Sequence, residues 1–528
     1  MSTLRDGAHR CGIGRAIGGG QEQQENEQGK WWHVGLFNVA CRDFLQALKA
    51  GLRWWLPLAF VDSSGHGYTA MHQHCFLGCF LIFNSIATLG AEPLAFPGAE
   101  GYGRHARGGR GGDVVYVTNL NDSGEGSLRQ AIEGKDPKRP RTVLFKVAGN
   151  IVLKKPLRLE TISALTIAGQ SAPGQGIALR DHGLELRNCS DIVLRHLHLR
   201  LGDVTKTSED VIALGSESGP CRRIIFDHLT ATWGIDGIMD TDNLSEFTMQ
   251  WCLFGEALNN STHYKKQPHA MLMSFRRTQG NISIHHNLLL SSRDRHPTLG
   301  GGDPKRSNPK AVFDFRNNVI YNWEGACNLA SGQFNLVANG WYPGPNTDFK
   351  RDPHAIAPKA EAHGVTTGFM QNNVFEGKPQ WTADNLSAVQ WGVRGGKYIG
   401  KVERSAFAGS SELVPVADRP LTQSPAQAYE LVLAKAGASL RRDAADERII
   451  AGVRRRSHRR IDSQDEVGGW PELQGARAPE DGDGDGMADD WERAQGLDPA
   501  NAADGNGLDA QGYTHLERYL DTLTKAQG

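Results

Sequence analysis

Two groups of residues in this chain of 528 could do chemistry. The first lies between Asp227 and Pro297, where FDH (Phe226–His228), DGIMD (Asp236–Asp240), IHHN (Ile284–Asn287) and RDRHP (Arg293–Pro297) follow in order. Asp236 and Asp240 are four apart in a strand-like run, so a period of two projects both from one face. Asp210, in SEDVIAL, lies 26 residues before Asp236, close to one coil of a stacked solenoid. Three converging carboxylates repel one another unless a hard cation such as Ca²⁺ relieves them. Cationic side chains follow shortly afterwards, a combination that suits a polyanionic substrate. On spacing alone, scattered acids on surface turns remain an equal reading.

The second group is DGDGDGMADDWE, Asp481 to Glu492. Oxygen-bearing side chains fall at loop positions 1, 3, 5, 9 and 12 (Asp481, Asp483, Asp485, Asp489, Glu492), with Gly486 at position 6. Ca²⁺ takes six to eight oxygens and this loop needs a sharp glycine turn at that place, so the pattern is that of an EF-hand loop holding a structural calcium. A second stretch, GLDAQGYTHLER, has Gln511, His515 and Arg518 at ligand positions and is expected to bind poorly or not at all.

The elements that must hold the first group are short β-rich runs separated by polar turns. IVLRHLHL (from Ile192), IIFDHLTA (Ile224), FTMQWCLF (Phe247), ISIHHNLL (Ile282) and FDFRNNVI (Phe313) align, with starts 32, 23, 35 and 31 residues apart. An irregular period of that size, turning a corner at a fixed place, is the signature of a solenoid whose coils bury their faces against one another. Asn287, Asn318 and Asn373 fall at that corner, where stacked amides can bond to the turn backbone. The reading is all-β: a right-handed parallel β-helix over residues 95–400. VVYV is its first strand, and SLRQAIE forms a short helix capping the open end. SPAQAYELVLAKAGA and RRDAADERIIAGVRRR read as helices of a peripheral segment over 401–475, and 476–528 is the calcium-loop tail. The run RRRSHRR (Arg454–Arg460) lacks aromatic interleaving and reads as a solvated loop.

AFPGAEGYG, GGRGG, LNDSGEGSLR, TIAGQSAPGQGI, FDH, DGIMD, HHN and RxP together resemble the pectate lyases of polysaccharide lyase family 1, over roughly residues 95–380. The resemblance implies calcium-assisted anti β-elimination on an acidic plant polysaccharide (pectate), leaving 4,5-unsaturated ends. It assigns the catalytic Ca²⁺ to the positions of Asp210, Asp236 and Asp240. It assigns the Brønsted base to Arg295, eight residues beyond Asn287 and two before Pro297. Arg293 fits the base position less well and joins the cations that meet substrate. A substrate-binding lysine usually precedes HHN in the family; Lys265, Lys266 and His269 are the candidates, without a choice among them. The sequence departs from the family at Ser208, where some members carry another acid, and at Thr298–Gly302, where members often carry a further arginine.

The remaining features bound the reading. With 58 basic and 59 acidic residues, no global field argues for nucleic acid or a membrane surface. Residues 75–91 form an apolar run ending in small residues, read as a signal-peptide h-region of a secreted protein, with 71–91 as the signal segment. A buried helix is the alternative. Residues 1–70 form an extension, consistent with a start codon placed too early. Cys189, Cys221, Cys252 and Cys327 are expected as stacked core thiols, with one disulfide as the lesser alternative. A polygalacturonase-type hydrolase would need its NTD, DD, GHG and RIK motifs in order, and they are not. The functional alternative is a β-helix that binds an acidic polysaccharide without cleaving it, or takes another one. A monomer is expected, since no heptad or other assembly seam is visible.

Overall fold

The computed structural model describes residues 92–525, apart from 135, 137–138, 352–353, 359–365, 392–401 and 410. The expected N-terminal extension and signal segment lie outside the described residues. Each coil lays one short strand into each of three parallel sheets in turn, giving a parallel β-helix. The first sheet has ten strands, from Asp113–Val117 to Thr366–Gln371; the second has nine, from Gly149–Val152 to Val374–Phe375; the third has eight, from Leu157–Glu160 to Ile356–Pro358. Ile192 pairs with Ile224, Ile224 with Phe247, Phe247 with Ile282 and Ile282 with Phe313, so the five aligned runs are in the expected register.

That register stacks like on like. Phe247, Phe275, Phe313 and Phe334 form a continuous ring column in the interior. At the corner between the first and second sheets runs an asparagine ladder. Asn287, Asn318, Asn339, Asn373 and Asn385 are linked side chain to side chain at 3.0 Å, and each of the first four also donates to a backbone carbonyl. Asn339 was not anticipated. Aligning Phe334 with Phe313 would have placed it, since each asparagine stands five residues on. The four described cysteines are buried and free, as the thiol reading has it.

Three attachments complete the molecule. Helix α1 (Leu128–Glu133), capped by the Ser127 side chain, buries Leu128, Ala131 and Ile132 at the N-terminal end of the core. Helix α2 (Pro379–Ala383) follows the last strand; α3 (Pro425–Lys435) and α4 (Ala444–Arg454) pack Val432, Leu433, Ile449 and Val453 on Leu253, Leu288, Val319 and Tyr321 of the second sheet. Helices α5 (Asp489–Gln495) and α6 (His515–Lys525) of the tail seat Met487, Leu516 and Leu520 on Leu144 and Ala168 of the first sheet.

The run Arg454–Arg460 is solvated, as expected, at Arg454, Arg455, Ser457 and Arg459, but not throughout. His458 is buried with Nε2 2.7 Å from Glu256, Arg456 pairs with Glu376 at 2.8 Å, and Arg460 pairs with Glu324. Acids contributed by distant coils partner these bases, and no local pattern announces them.

Candidate active site

The four motifs of the central stretch divide between two corners. FDH and IHHN end strands of the first sheet; Phe226 and Ile284 join the core, while Asp227 and His285, alternating with them, are buried on the opposite face beneath the segment around Gly98–Glu100. Asp227 is buried and accepts from Arg195 at 2.7 Å and Gln250 at 2.8 Å, with His228 at 2.9 Å. His285 and His286 are buried against each other. These side chains are taken up in bonding one another and their neighbours. DGIMD and RDRHP instead enter the third sheet and bring Asp236, Asp240, Arg293 and Arg295 partly to solvent, while His296 is wholly buried.

There the register brings the acids together. Ala213 pairs with Asp240, and extending that ladder sets Asp210 beside Gly237, immediately after Asp236. The glycine is needed: a Cβ at 237 would stand 2.7 Å from Asp210 Oδ1. Gly237, Ile238 and Met239 are buried between Asp236 and Asp240, both of which reach solvent. Burial, then Asp240 and Asp236, push the Asp210 carboxyl well above the usual carboxylate range, while Arg295 and Arg276 pull it down. The Asp240 carboxyl is also raised by burial, against Arg276, Ser274 and Arg295.

Arg295 lies within electrostatic reach of Asp210 and Asp240. It precedes Thr298–Leu299 of the third sheet, in the left-handed region at φ 64°, its carbonyl accepting from Met273 N at 3.1 Å and its N–H donating to Asp294 Oδ1 at 2.7 Å. Left-handed backbone at a non-glycine residue is held only where surroundings over-determine it. Among the described residues no hydrogen bond or ion pair engages its guanidinium. Arg293 is different: it donates to Pro268 O at 2.6 Å and stands 3.6 Å from Glu324.

The loop over residues 259–270 borders the acids. Ser208 accepts from Tyr264 N at 2.9 Å, so the residue standing where an acid could be anchors this loop. His269 Nε2 lies 2.6 Å from Asp236 Oδ1, and His263, stacked on His269 at 3.9 Å, brings its Nε2 to 3.5 Å from the same oxygen. Lys265 N donates to His263 Nδ1 at 3.2 Å, which leaves the proton on Nε2. His269 thus bonds Asp236, while His263 Nε2 is buried without a hydrogen-bond partner, and the three side chains are close enough together to hold a metal ion. Burial lowers both histidines, and Lys265 adds to that, so its charge is felt here. Lys265 and Lys266 are both exposed.

Two residues on the adjacent strand Met271–Arg276 were not anticipated. Asp240 pairs with Ser274 in the ladder, and the Ser274 hydroxyl and Arg276 guanidinium donate to its two oxygens. The signal was present, since SFR, separated from DGIMD along the chain by two intervening strands, has Ser and Arg at a period of two. Only the register shows which acid they meet.

In the tail, Asp481, Asp483 and Asp485 gather within 4.8 Å, and Asp485, Glu492 and Asp504 form a second such trio. Asp483 Oδ2, Asp485 Oδ2, Asp504 Oδ1 and both Glu492 oxygens are buried without a hydrogen-bond partner. Burial, then neighbouring acids, raise Asp485 to about 6 and Glu492 to about 7. Asp504 was missed because it lies twelve residues beyond the motif. Asp489 accepts from Gly482 N at 2.7 Å and pairs with Arg493 at 3.2 Å, so its carboxylate ties the loop to α5. In the second loop Arg518 pairs with Asp509, satisfying the acid internally.

No family model matches the chain. It is 32% identical over 439 residues to a protein named probable pectate lyase C from Aspergillus terreus, covering 81% of this chain and 94% of that one. The protein of the same name from Emericella nidulans is 33% identical over 439 residues, covering 81% and 93%. Among solved structures, a pectate lyase from Bacillus sp. N165 in complex with trigalacturonate aligns with a TM-score of 0.45 at 15% identity, covering 64% of this chain and 98% of that one. Pectate lyase C from Erwinia chrysanthemi, solved with Ca²⁺, aligns with a TM-score of 0.40 at 12% identity over 66% and 98%.

Proposed function

Because the chain belongs to the pectate lyase family, we propose that it cleaves α-1,4-polygalacturonate by calcium-assisted anti β-elimination, with Arg295 as the base. The observation that carries this reading is the Arg295 guanidinium, without a side-chain partner among the described residues and within electrostatic reach of Asp210 and Asp240. The donors fit a hard cation: clustered carboxylates, one of them raised well above its usual range by burial and by the two neighbouring acids. Asp210, Asp236 and Asp240 would hold Ca²⁺, which would neutralise the uronate carboxylate and make the C5 proton more acidic.

Arg295 then accepts the C5 proton; the C5–H electron pair becomes the C4–C5 double bond as the C4–O bond breaks, and the departing oxygen is protonated from solvent. A guanidinium is charged up to about pH 12. Base action needs the neutral form at the moment of transfer, and the surrounding acids oppose it while they are charged. Their neutralisation removes that opposition. Lys265, whose charge reaches His263 and His269, is the substrate cation favoured over Lys266, and Arg293 acts from the rim.

The test is ultraviolet absorbance of unsaturated uronate released from polygalacturonate by the purified protein, with Ca²⁺ and then with chelator. A rise that needs Ca²⁺ and is lost in Arg295→Ala supports the reading. No rise on pectates of any methylation, with the protein folded, points to another uronan or to a binding protein.

We also infer a structural calcium in the tail, held by Asp481, Asp483, Asp485, Glu492 and Asp504. It relieves the buried, unpartnered oxygens and fixes the tail against the first sheet.

A further inference from the structure

Asp240, proposed above as a calcium ligand, already has a counter-ion. Its two oxygens are taken by the Ser274 hydroxyl and the Arg276 guanidinium, which share a face of the neighbouring strand. We propose that Arg276 is an exchangeable counter-ion: it holds Asp240 in the cation-free protein, yields that carboxylate to a divalent cation, and then binds a carboxylate of the uronate chain. The last part rests on the lyase reading; the exchange itself does not.

Three observations separate Arg276 from an ordinary surface ion pair. Its side chain is 49% exposed while Asp240 is 17% exposed, so the mobile partner is the arginine and the fixed one is the acid. Its neighbour Arg277, 23% exposed, is locked on Asp242 through two nitrogens. The two adjacent guanidinium groups are thus held differently, one bidentate and sheltered, the other end-on and open to solvent. Finally, at Gly302 (φ 85°) an added Cβ would come within 3.1 Å of Arg277 Cγ but only into ordinary contact, 3.4 Å, with Arg276 Cβ, so the close packing is on the locked arginine and not on Arg276.

The energetics favour exchange. An exposed monodentate pair is weak, whereas a divalent cation meeting several carboxylates at once is not. The charge of Arg276 also opposes cation entry, since it reaches Asp210 as well as Asp240. Once displaced, the guanidinium remains beside the acids that the partner-free Arg295 also reaches, where a carboxylate-bearing sugar would lie. A planar fork of donors matches a carboxylate better than an ammonium group does.

The distinguishing consequence is that removing Arg276 strengthens calcium binding while weakening substrate binding; a merely structural residue would weaken both. Calorimetric Ca²⁺ titrations of the full chain and steady-state kinetics on polygalacturonate test this, using Arg276→Ala, Arg276→Lys, Arg276→Gln and the double variant Arg276→Ala/Asp240→Asn. The tail calcium is common to all four and cancels in the comparison. Expected for Arg276→Ala are calcium affinity at the acid cluster about tenfold tighter and KM about tenfold higher at saturating calcium, with kcat within about threefold. Arg276→Lys recovers part of KM, Arg276→Gln repeats the alanine result if that variant melts early, and the double variant loses the gained affinity. Calcium binding that is unchanged or weaker in both the alanine and glutamine variants overturns the exchange. An unchanged KM overturns the substrate role. Tighter calcium binding in a protein that cleaves no uronan supports the exchange while the lyase reading fails.

Discussion

Glu256 and Arg448 join the solenoid to its C-terminal helices through a two-pronged pair: the wholly buried carboxylate accepts from the two terminal guanidinium nitrogens of the half-buried arginine at 2.7 and 2.6 Å. Trp233 donates to the same carboxylate at 2.9 Å, and His458 Nε2 lies 2.7 Å away. Burial would raise the Glu256 carboxyl, but His458 and then Arg448 overcome this and hold it at about 2.

A depressed carboxyl contributes stability that is present above its unfolded value of 4.5 and is lost as pH falls toward 2. The shift corresponds to about 3 kcal/mol. Glu256→Gln is expected to lower stability at pH 7 by about that amount and to flatten the acid limb below pH 4.5. Chemical denaturation of both proteins at pH 7, 4 and 3 checks this; parallel acid limbs would refute the assignment.

The asparagine ladder makes a different prediction. Asn318 Oδ1 accepts from Asn287 N at 3.1 Å and Asn287 Nδ2 at 3.0 Å, while its Nδ2 reaches Ile284 O and Asn339 Oδ1. Asn318→Ala leaves several fully buried groups without partners, and a loss of about 2–4 kcal/mol is expected. Asn318→Asp should be as damaging, since it loses the donor and adds a buried charge. Urea midpoints measure both.

For the tail, chelation is expected to lower the melting temperature at pH 8 more than at pH 5. Glu492 at about 7 and Asp485 at about 6 are raised above their unfolded values, so the cation-free loop is relaxed by protonation below those values and strained above them. Glu492→Gln should remove most of the calcium-dependent stabilisation while leaving kcat per folded molecule unchanged. Differential scanning calorimetry with and without chelator reads the first, and activity at 25 °C the second.

The two arginines of RDRHP should separate cleanly. Arg295→Ala is expected to reduce kcat by about 10²–10⁴, the range of a lost general base. Arg293→Ala, whose guanidinium is spent on Pro268 O and Glu324, should leave kcat within a few-fold and raise KM modestly. Equal losses in kcat would mean that the base role had been given to the wrong residue.

Much of this molecule is legible in local pattern. Alternating apolar runs, corner asparagines and an irregular coil length define a solenoid, because each coil must bury its face on the next and like residues then stack. The same logic set the register of five strands, and the acid loop at Asp481–Glu492 announced itself because its ligands are consecutive in sequence. Partners contributed by other coils were illegible. Ser274 and Arg276 meet Asp240, His458 reaches Glu256 across 202 residues, and Asp504 joins a loop twelve residues away. The sequence by itself determined which residues face inward and which acids and bases sit on one outer face, since side-chain direction follows from the period of a strand. Only the tertiary structure decided which of those charges are already paired and which, like Arg295, are left available, because pairing depends on stacking between coils whose separation in sequence varies from one turn to the next.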